Sequence, residues 1–318
     1  MMHAEVTAPV DVAGTGFTVL DRVYQGDVKT SEALGGSCGN VLVSLAMLHR
    51  SVVPLLELGN DDVGDQLVSE FECAGANTRY IRRSKDRLSP VLAQFLDAEA
   101  GQHSFSFICP ETDRPLPRYA SIEADHVDDA AVVLESCSIF YADRLSAPIL
   151  AAMETASAAG AMVYFEPSSI DDDQMFARAL QHCSVLKYSS DRLDDDVHAS
   201  HMRPNAISIV THGAAGLELR QTNRSVWSAS TPAQRLRDTC GSGDMVSIGF
   251  INWLLNRPGR GHGLGIDDAL EGVMVGQKLA AANCAFRGAR GLFATHGAEL
   301  VRRFLMGDHS AQIEFDFD

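Results

Sequence analysis

No two of the seven cysteines, at positions 38, 73, 109, 137, 183, 240 and 284, have Cys-x-x-Cys spacing. A cysteine-pair zinc site and a disulfide framework are therefore not indicated, and a reducing, cytoplasmic setting fits best. Long apolar runs are missing as well. Stretches such as 41–48 fall far short of the roughly 20 residues a membrane span needs. Residues 1–10 carry Glu5 and no apolar run, so they do not read as a signal peptide. Basic side chains are scarce: 26 Lys and Arg stand against 42 Asp and Glu, a formal net charge of -16. This balance argues against nucleic acid as a partner, because neutralising phosphates needs clustered cations. A small anion is still admissible, held locally by backbone N–H groups. No GxxxxGK[ST] loop occurs, and Gly14-Thr15-Gly16 lacks the third glycine of a dinucleotide fingerprint.

Within 318 residues, 46% of them hydrophobic, one large α/β core with a small appendage is the natural expectation. Strand-like runs at 10–13, 52–58, 138–142, 162–165, 185–188 and 207–210 alternate with helix-like segments at 39–50, 62–74, 146–159 and 173–182. In the first helix Val41, Leu45 and Leu48 share a face. Alternation of this kind predicts a mainly parallel sheet covered on both faces. Beyond 243 the chain reads as helices at 243–256, 267–286 and 296–306. Two stretches, 17–34 and 88–107, read as short strands, either surface hairpins or one small projecting sheet. The proline-rich 109–119 is a connector, and the acidic triplets 171–173 and 194–196 read as solvated turns or helix starts.

Chemistry is concentrated in Asp238-Thr239-Cys240-Gly241-Ser242-Gly243-Asp244, directly before a helix apolar nearly all round. Glycines there free the backbone to turn and approach a ligand, and a helix N-terminus offers unpaired N–H donors to a phosphoryl group. Asp244 in the first turn could take a proton from an attacking hydroxyl, or could simply cap the helix.

The longer pattern resembles the Asp-Thr-x-Gly-Ala-Gly-Asp signature of the ribokinase-like (PfkB) carbohydrate kinases, with Ser242 in place of Ala. Gly35-Gly36-Ser37-Cys38-Gly39-Asn40 is similar to that family's N-terminal Gly-Gly-x-x-x-Asn element, and Asn40 matches its sugar-contacting asparagine. Gly59-Asn60-Asp61-Asp62-Val63-Gly64 resembles its Gly-x-Asp-x-x-Gly segment, and Asp21 matches its substrate-binding aspartate. Thr211-His212-Gly213-Ala214-Ala215-Gly216 is similar to its nucleotide loop, with a hairpin expected at 217–230. Asn283, on an alanine-rich helix ending at Gly288-Ala289, matches a position beside the adenine.

The resemblance covers nearly the whole chain and implies one domain over 1–318, a three-layer α/β/α core with a small β-sheet lid at about 17–34 and 88–107. It implies transfer of the γ-phosphoryl group of ATP to a hydroxymethyl group of a sugar or sugar-like alcohol. Asp244 would be the base, and the N–H groups of Gly241, Ser242 and Gly243 would hold the migrating charge. Asp21, Gly35, Gly36 and Asn40 would bind the acceptor; Lys187, Thr211, Gly213, Gly216 and Asn283 would serve the nucleotide. Mg²⁺ would bridge the phosphates, and Asp238 would help bind a monovalent cation such as K⁺. Some relatives pair their lids, so a homodimer through the lid strands is expected, with Phe105 and Phe107 supplying the apolar face.

One segment departs from the pattern. The family's Lys-x-Asn-x-x-Glu reads here Lys187-Tyr188-Ser189-Ser190-Asp191-Arg192, with Ser for Asn and Arg for Glu. Asp191, one residue out of register, could supply the missing carboxylate, and Glu166-Pro167-Ser168 after the strand 162–165 reads as another phosphate-side element or as a plain strand end. The changed segment keeps a non-catalytic sugar- or nucleotide-sensing protein open as a rival, which Asp244 opposes. A nucleoside kinase is the other alternative, with Phe17, Tyr24, Phe105 and Phe107 as possible platforms for a base.

Overall fold

The computed structural model describes residues 9–97, 102–193, 201–257 and 263–308. The first eight residues, the centre of the second lid stretch at 98–101 and the acidic triplet 194–196 lie outside the described residues. The chain begins with β1 (Val10–Thr15), β2 (Val19–Gln25), β3 (Val28–Gly35), α1 (Ser37–Met47), β4 (Val52–Pro54), β5 (Leu56–Gly59) and α2 (Asp62–Cys73). It continues through β6 (Ile81–Ser84), β7 (Val91–Asp97), β8 (Gln102–Ser106), α3 (Ala124–Asp129), α4 (Ala131–Ser136), β9 (Cys137–Ala142), α5 (Ala147–Ala158), β10 (Met162–Phe165) and α6 (Asp173–His182). Then follow β11 (Val185–Ser189), β12 (Ile207–Thr211), β13 (Gly216–Gln221), β14 (Arg224–Ala229), α7 (Ser242–Asn256), α8 (Ile266–Asn283) and α9 (Gly291–Leu305).

An 8-stranded sheet, ordered β14-β13-β12-β11-β10-β9-β1-β4, forms the middle layer. It is parallel from β4 to β12, and the β13–β14 hairpin closes one edge antiparallel. Both faces of the parallel strands are buried, which is why they read as continuous apolar runs. In β9, Ile139 and Tyr141 pack into one apolar cluster with α1, α7 and α8. Phe140 and Ala142 pack into the other cluster, with α3 to α6. Helix starts follow side-chain chemistry: Asp61 caps α2, Ser146 caps α5 and Asp172 caps α6 by accepting backbone N–H bonds. α7 and α8 cross at glycines, where a Cβ on Gly249 would lie 2.5 Å from the Cα of Gly276.

The stretches 17–34 and 88–107 do form one small sheet, 4-stranded in the order β3-β2-β7-β8. One face buries Leu20, Tyr24, Val91 and Ala93. The opposite face carries Asp21 and Gln94, and Gln94 Nε2 reaches Cys240 Sγ at 3.4 Å, just ahead of α7. The small sheet therefore stands over the start of that helix.

Four expectations change. The run 52–58 is two strands: β4 joins the main sheet as its edge strand, Leu55 N still donates to Gly14 O at 2.8 Å, and β5 pairs instead with β6. The short helices α3 and α4 were not expected, being one and a half turns each with little room for periodicity. α8 stops at Asn283 rather than 286. The last helix starts earlier than 296 and bends at Gly297, whose φ is 77°. Among the described residues no helix is long and apolar enough to cross a membrane.

Candidate active site

The carboxyl ends of β1, β9, β10, β11 and β12 open on one edge of the parallel sheet, where ligands of open α/β sheets bind. α7 begins there. Gly241, immediately before it, has φ 70°, and a Cβ would lie 2.7 Å from the Cα of Ala289. Only glycine satisfies both constraints. The Lys187 ammonium lies 3.7 Å from where a Cβ on Gly243 would be. A helix N-terminus, two glycines and an ammonium thus meet at one point, a suitable cradle for an anion. Ser242 closes the turn, its N–H and hydroxyl donating to the Thr239 carbonyl at 3.2 and 2.7 Å. Of the three N–H groups expected to face a phosphoryl group, that of Ser242 is thus engaged within the turn.

Asp244 follows, partly buried. Burial, reinforced by the negative charge of Glu166, pushes its carboxyl up to about 7; the Asn40 hydrogen bond and Lys187 oppose the rise. Asn40 Nδ2 donates to Asp244 Oδ2 at 2.8 Å across 204 residues of sequence. Asn40 sits in the first turn of α1, entered through Gly36 at φ 80°, where a Cβ would press on the Phe17 carbonyl at 2.3 Å. At Gly35 a Cβ would lie 1.9 Å from Asp21 Oδ2, so the Asp21 carboxylate rests flat on the glycine. Burial raises Asp21 to about 7, with Arg290 and the Gly36 N–H pulling it down.

Four separated stretches therefore converge: Asp21, residues 35–40, Lys187 and residues 241–244. Asp61 organises the next turn, accepting from Gly64 N and Ser89 N at 2.8 Å each. Thr211, Gly213 and Gly216 form the turn from β12 to β13; Thr211 Oγ1 donates to Tyr188 O at 3.3 Å, and Gly216 has φ 131°.

Two side chains assigned to ligands face inward. Asn283 is fully buried; Nδ2 donates to the carbonyls of Gly288 and Ala289 at 3.4 and 3.3 Å, and Oδ1 accepts from Leu292 N at 3.0 Å. Its amide shapes the 288–292 loop. Asp238 accepts from Cys240 N at 2.8 Å and Gly288 N at 2.7 Å, joining the glycine turn to the same loop. Of the aromatic residues considered for a base platform, Tyr24 is buried beside Phe95, whereas Phe105 is exposed.

Sequence reasoning missed several members. Asp143, just past β9, accepts from Phe17 N at 2.7 Å and Cys38 N at 3.1 Å, and burial lifts it to about 6. Its position beyond a strand's carboxyl end was the available signal. Glu166, weighed only as a strand-end possibility, is the carboxylate that pairs with Lys187. It also accepts from Ser247 Oγ at 2.6 Å and Tyr141 OH at 3.2 Å. Asp191 and Arg192 are exposed in the turn after β11. Arg290, after Gly288-Ala289, pairs with Glu70 at 3.2 Å.

Comparisons with known proteins bear on the family and the fold. Residues 25–294 match the pfkB family of carbohydrate kinases. The chain is 27% identical over 255 residues to an ATP-dependent ribose-1-phosphate kinase of Halopiger xanaduensis, covering 74% of this chain and 80% of that protein. Giardia lamblia ribokinase superposes with a TM-score of 0.76 at 16% identity, covering 96% of this chain and 100% of the other. Xylella fastidiosa fructokinase with bound ATP superposes with a TM-score of 0.72 at 23% identity, covering 94% and 99%.

Proposed function

The chain belongs to the pfkB family of carbohydrate kinases, and from that premise we propose that it transfers a phosphoryl group from ATP to a hydroxymethyl group of a sugar or sugar-like alcohol. The observation that carries this reading is the Asn40–Asp244 hydrogen bond at the start of α7. It brings an acceptor-side residue and a proton acceptor to the anion cradle of Gly241 and Gly243. In this reading Asp244 takes the proton of the acceptor hydroxyl, Asp21 and Asn40 orient the acceptor, and Gly35 and Gly36 give its backbone room. Lys187 and the α7 N-terminus hold phosphoryl oxygens, with Lys187 fixed in place by Glu166. The Thr211–Gly216 turn lines the nucleotide side, while Asn283 acts through the loop it shapes. ATP supplies the transferable group, and Mg²⁺, which keeps much of its water and needs few protein ligands, offsets the phosphate charge. The acidic side chains near the cradle, Asp244 and Glu166, suit such an ion. A monovalent cation near Asp238 would bind through the loop carbonyls that this carboxylate arranges.

The described residues support a single domain in which the small sheet acts as a lid, since Gln94 and Asp21 share the face above the site. Phe105, directly opposite Gln94 and 56% exposed at the rim, supports a dimer joined lid to lid. All seven cysteines are free, in keeping with a cytoplasmic protein. The test is ADP release with Mg²⁺-ATP and D-ribose, D-fructose, adenosine and ribose 1-phosphate in turn. Acceptor-dependent turnover with at least one is expected. ATP binding without acceptor-dependent turnover would favour the sensing role instead.

A further inference from the structure

Arg290 joins the two halves of the site. It follows Ala289, the residue on which Gly241 packs, and its side chain leaves that loop for Glu70 on α2, next to the lid. Nη2 donates to Glu70 Oε2 at 3.2 Å, while Glu70 Oε1 accepts from Leu34 N at 2.7 Å. Leu34 lies on β3, whose Ala33 pairs with Asp21 on β2. The guanidinium thus spans from the phosphoryl cradle to the base of the lid, and both Asp21 and Asp244 feel its charge. It closes its ion pair with Glu70 and not with Asp21. Nη1 is left without a hydrogen-bond partner, as are Asp21 Oδ1 and Asn40 Oδ1, though all three atoms are shielded from water.

A shielded donor and a shielded acceptor that stay unpaired each carry a desolvation penalty, which a bound group of the right chemistry removes. A hydroxyl suits the pair, because it donates to the carboxylate oxygen and accepts from the guanidinium at once. A phosphate does not. Glu70 already pairs with the guanidinium, and Asp21 and Asp244 also share its charge, which leaves little of it to offset a further anion.

Building on the kinase reading, we propose that Arg290 is a specificity-determining residue of the acceptor site. With Asp21 it grips one hydroxyl of an uncharged polyol, at a position distinct from the hydroxyl that is phosphorylated. Arg290 supplies the N–H, Asp21 receives the O–H, and Asn40 Oδ1 is open to a neighbouring hydroxyl.

The test takes the best-used acceptor among D-ribose, D-fructose and adenosine, its monodeoxy analogues, and ribose 1-phosphate. Each is assayed with wild type, Arg290→Met and Arg290→Lys, folding being checked by thermal melting. Loss of one charge-assisted hydrogen bond should raise the acceptor KM of Arg290→Met about 10- to 100-fold, with the ATP KM changed by about twofold at most. One deoxy analogue should show the same loss in wild type and no further loss in Arg290→Met. A merely structural arginine would not produce that coincidence. Arg290→Lys, which keeps the charge beside Glu70 but not the planar fork, carries the same comparison should the Met variant fail to fold. Unchanged discrimination against every deoxy analogue in the variants would overturn the proposal. So would a wild-type preference for ribose 1-phosphate that disappears with Arg290. Absence of turnover with all acceptors would instead overturn the kinase reading itself, and this one with it.

Discussion

Exchanging Glu166 for Gln tests how the protein sets the acidity of its proposed base. Asp244 rises from 3.8 to about 7, and after burial the largest cause is the negative charge of Glu166. Gln removes that charge and frees the Lys187 ammonium from its ion pair, and both changes favour ionised Asp244. The amide oxygen can still accept from Ser247, so the packing change is small. A single nearby like charge is worth about one pK unit, so the pKa should fall from about 7 to about 6. Only the ionised carboxylate accepts a proton, so activity is present above the pKa and is lost as pH falls through it. At pH 6 a base of pKa 7 is ionised in about one molecule in ten, and one of pKa 6 in about half. Relative to its own alkaline plateau, the variant should therefore run about fivefold faster than wild type at pH 6. The assay is kcat from pH 5 to 9 at saturating acceptor and ATP, because acceptor kcat/KM would also titrate Asp21, which burial raises to about 7 as well. An acid limb that stays in place, or moves up, would refute the assigned electrostatics.

Gly249→Ala drives a methyl into the α7–α8 crossing, where its nearest neighbours are backbone atoms of Gly276 that cannot rotate aside. Overpacking of this kind should cost about 1–3 kcal/mol, seen as a lower denaturation midpoint; an unchanged midpoint would mean the helices separate freely. Amide exchange in β2, β3 and β7 should slow together when an acceptor is added, because lids are drawn from the less stable parts of a structure and close over ligand. Slowing confined to β7 would separate the two stretches. A chain pairing through its lids should scatter light as a dimer at micromolar concentration, and Phe105→Asp with Phe107→Asp should halve the mass; an unchanged dimer would place the interface elsewhere.

The parallel core was legible because strands buried on both faces leave dense apolar runs, and the caps Asp61, Ser146 and Asp172 mark helix starts in plain side-chain chemistry. The glycine turn was legible for a related reason: positions 35, 36 and 241 are glycines where backbone must turn sharply or sit close to another group. What stayed hidden depended on side chains meeting from distant stretches. Nothing near Glu166 in sequence announces Lys187, Ser247 and Tyr141 as its partners. Arg290 gains its meaning only from Glu70 on α2 and Asp21 on the lid. Asn283 and Asp238 stand where the family pattern places them, yet their polar atoms hold a neighbouring loop, a choice that composition and spacing do not encode. Pro54 was a readable sign that its strand lies at the sheet edge, where a missing N–H costs no ladder bond.

The assignment of Asp244 as the base is tested most directly by Asp244→Asn. Asn is nearly isosteric, and its carbonyl oxygen can keep the hydrogen bond from Asn40, so the fold and acceptor affinity should be retained. Loss of a general base should lower kcat by about 10²- to 10⁴-fold. Steady-state turnover of the folded variant, measured beside acceptor binding, decides the matter. A kcat reduced by that factor with binding intact is the expected result, and a kcat within about threefold of wild type would contradict the role given to Asp244.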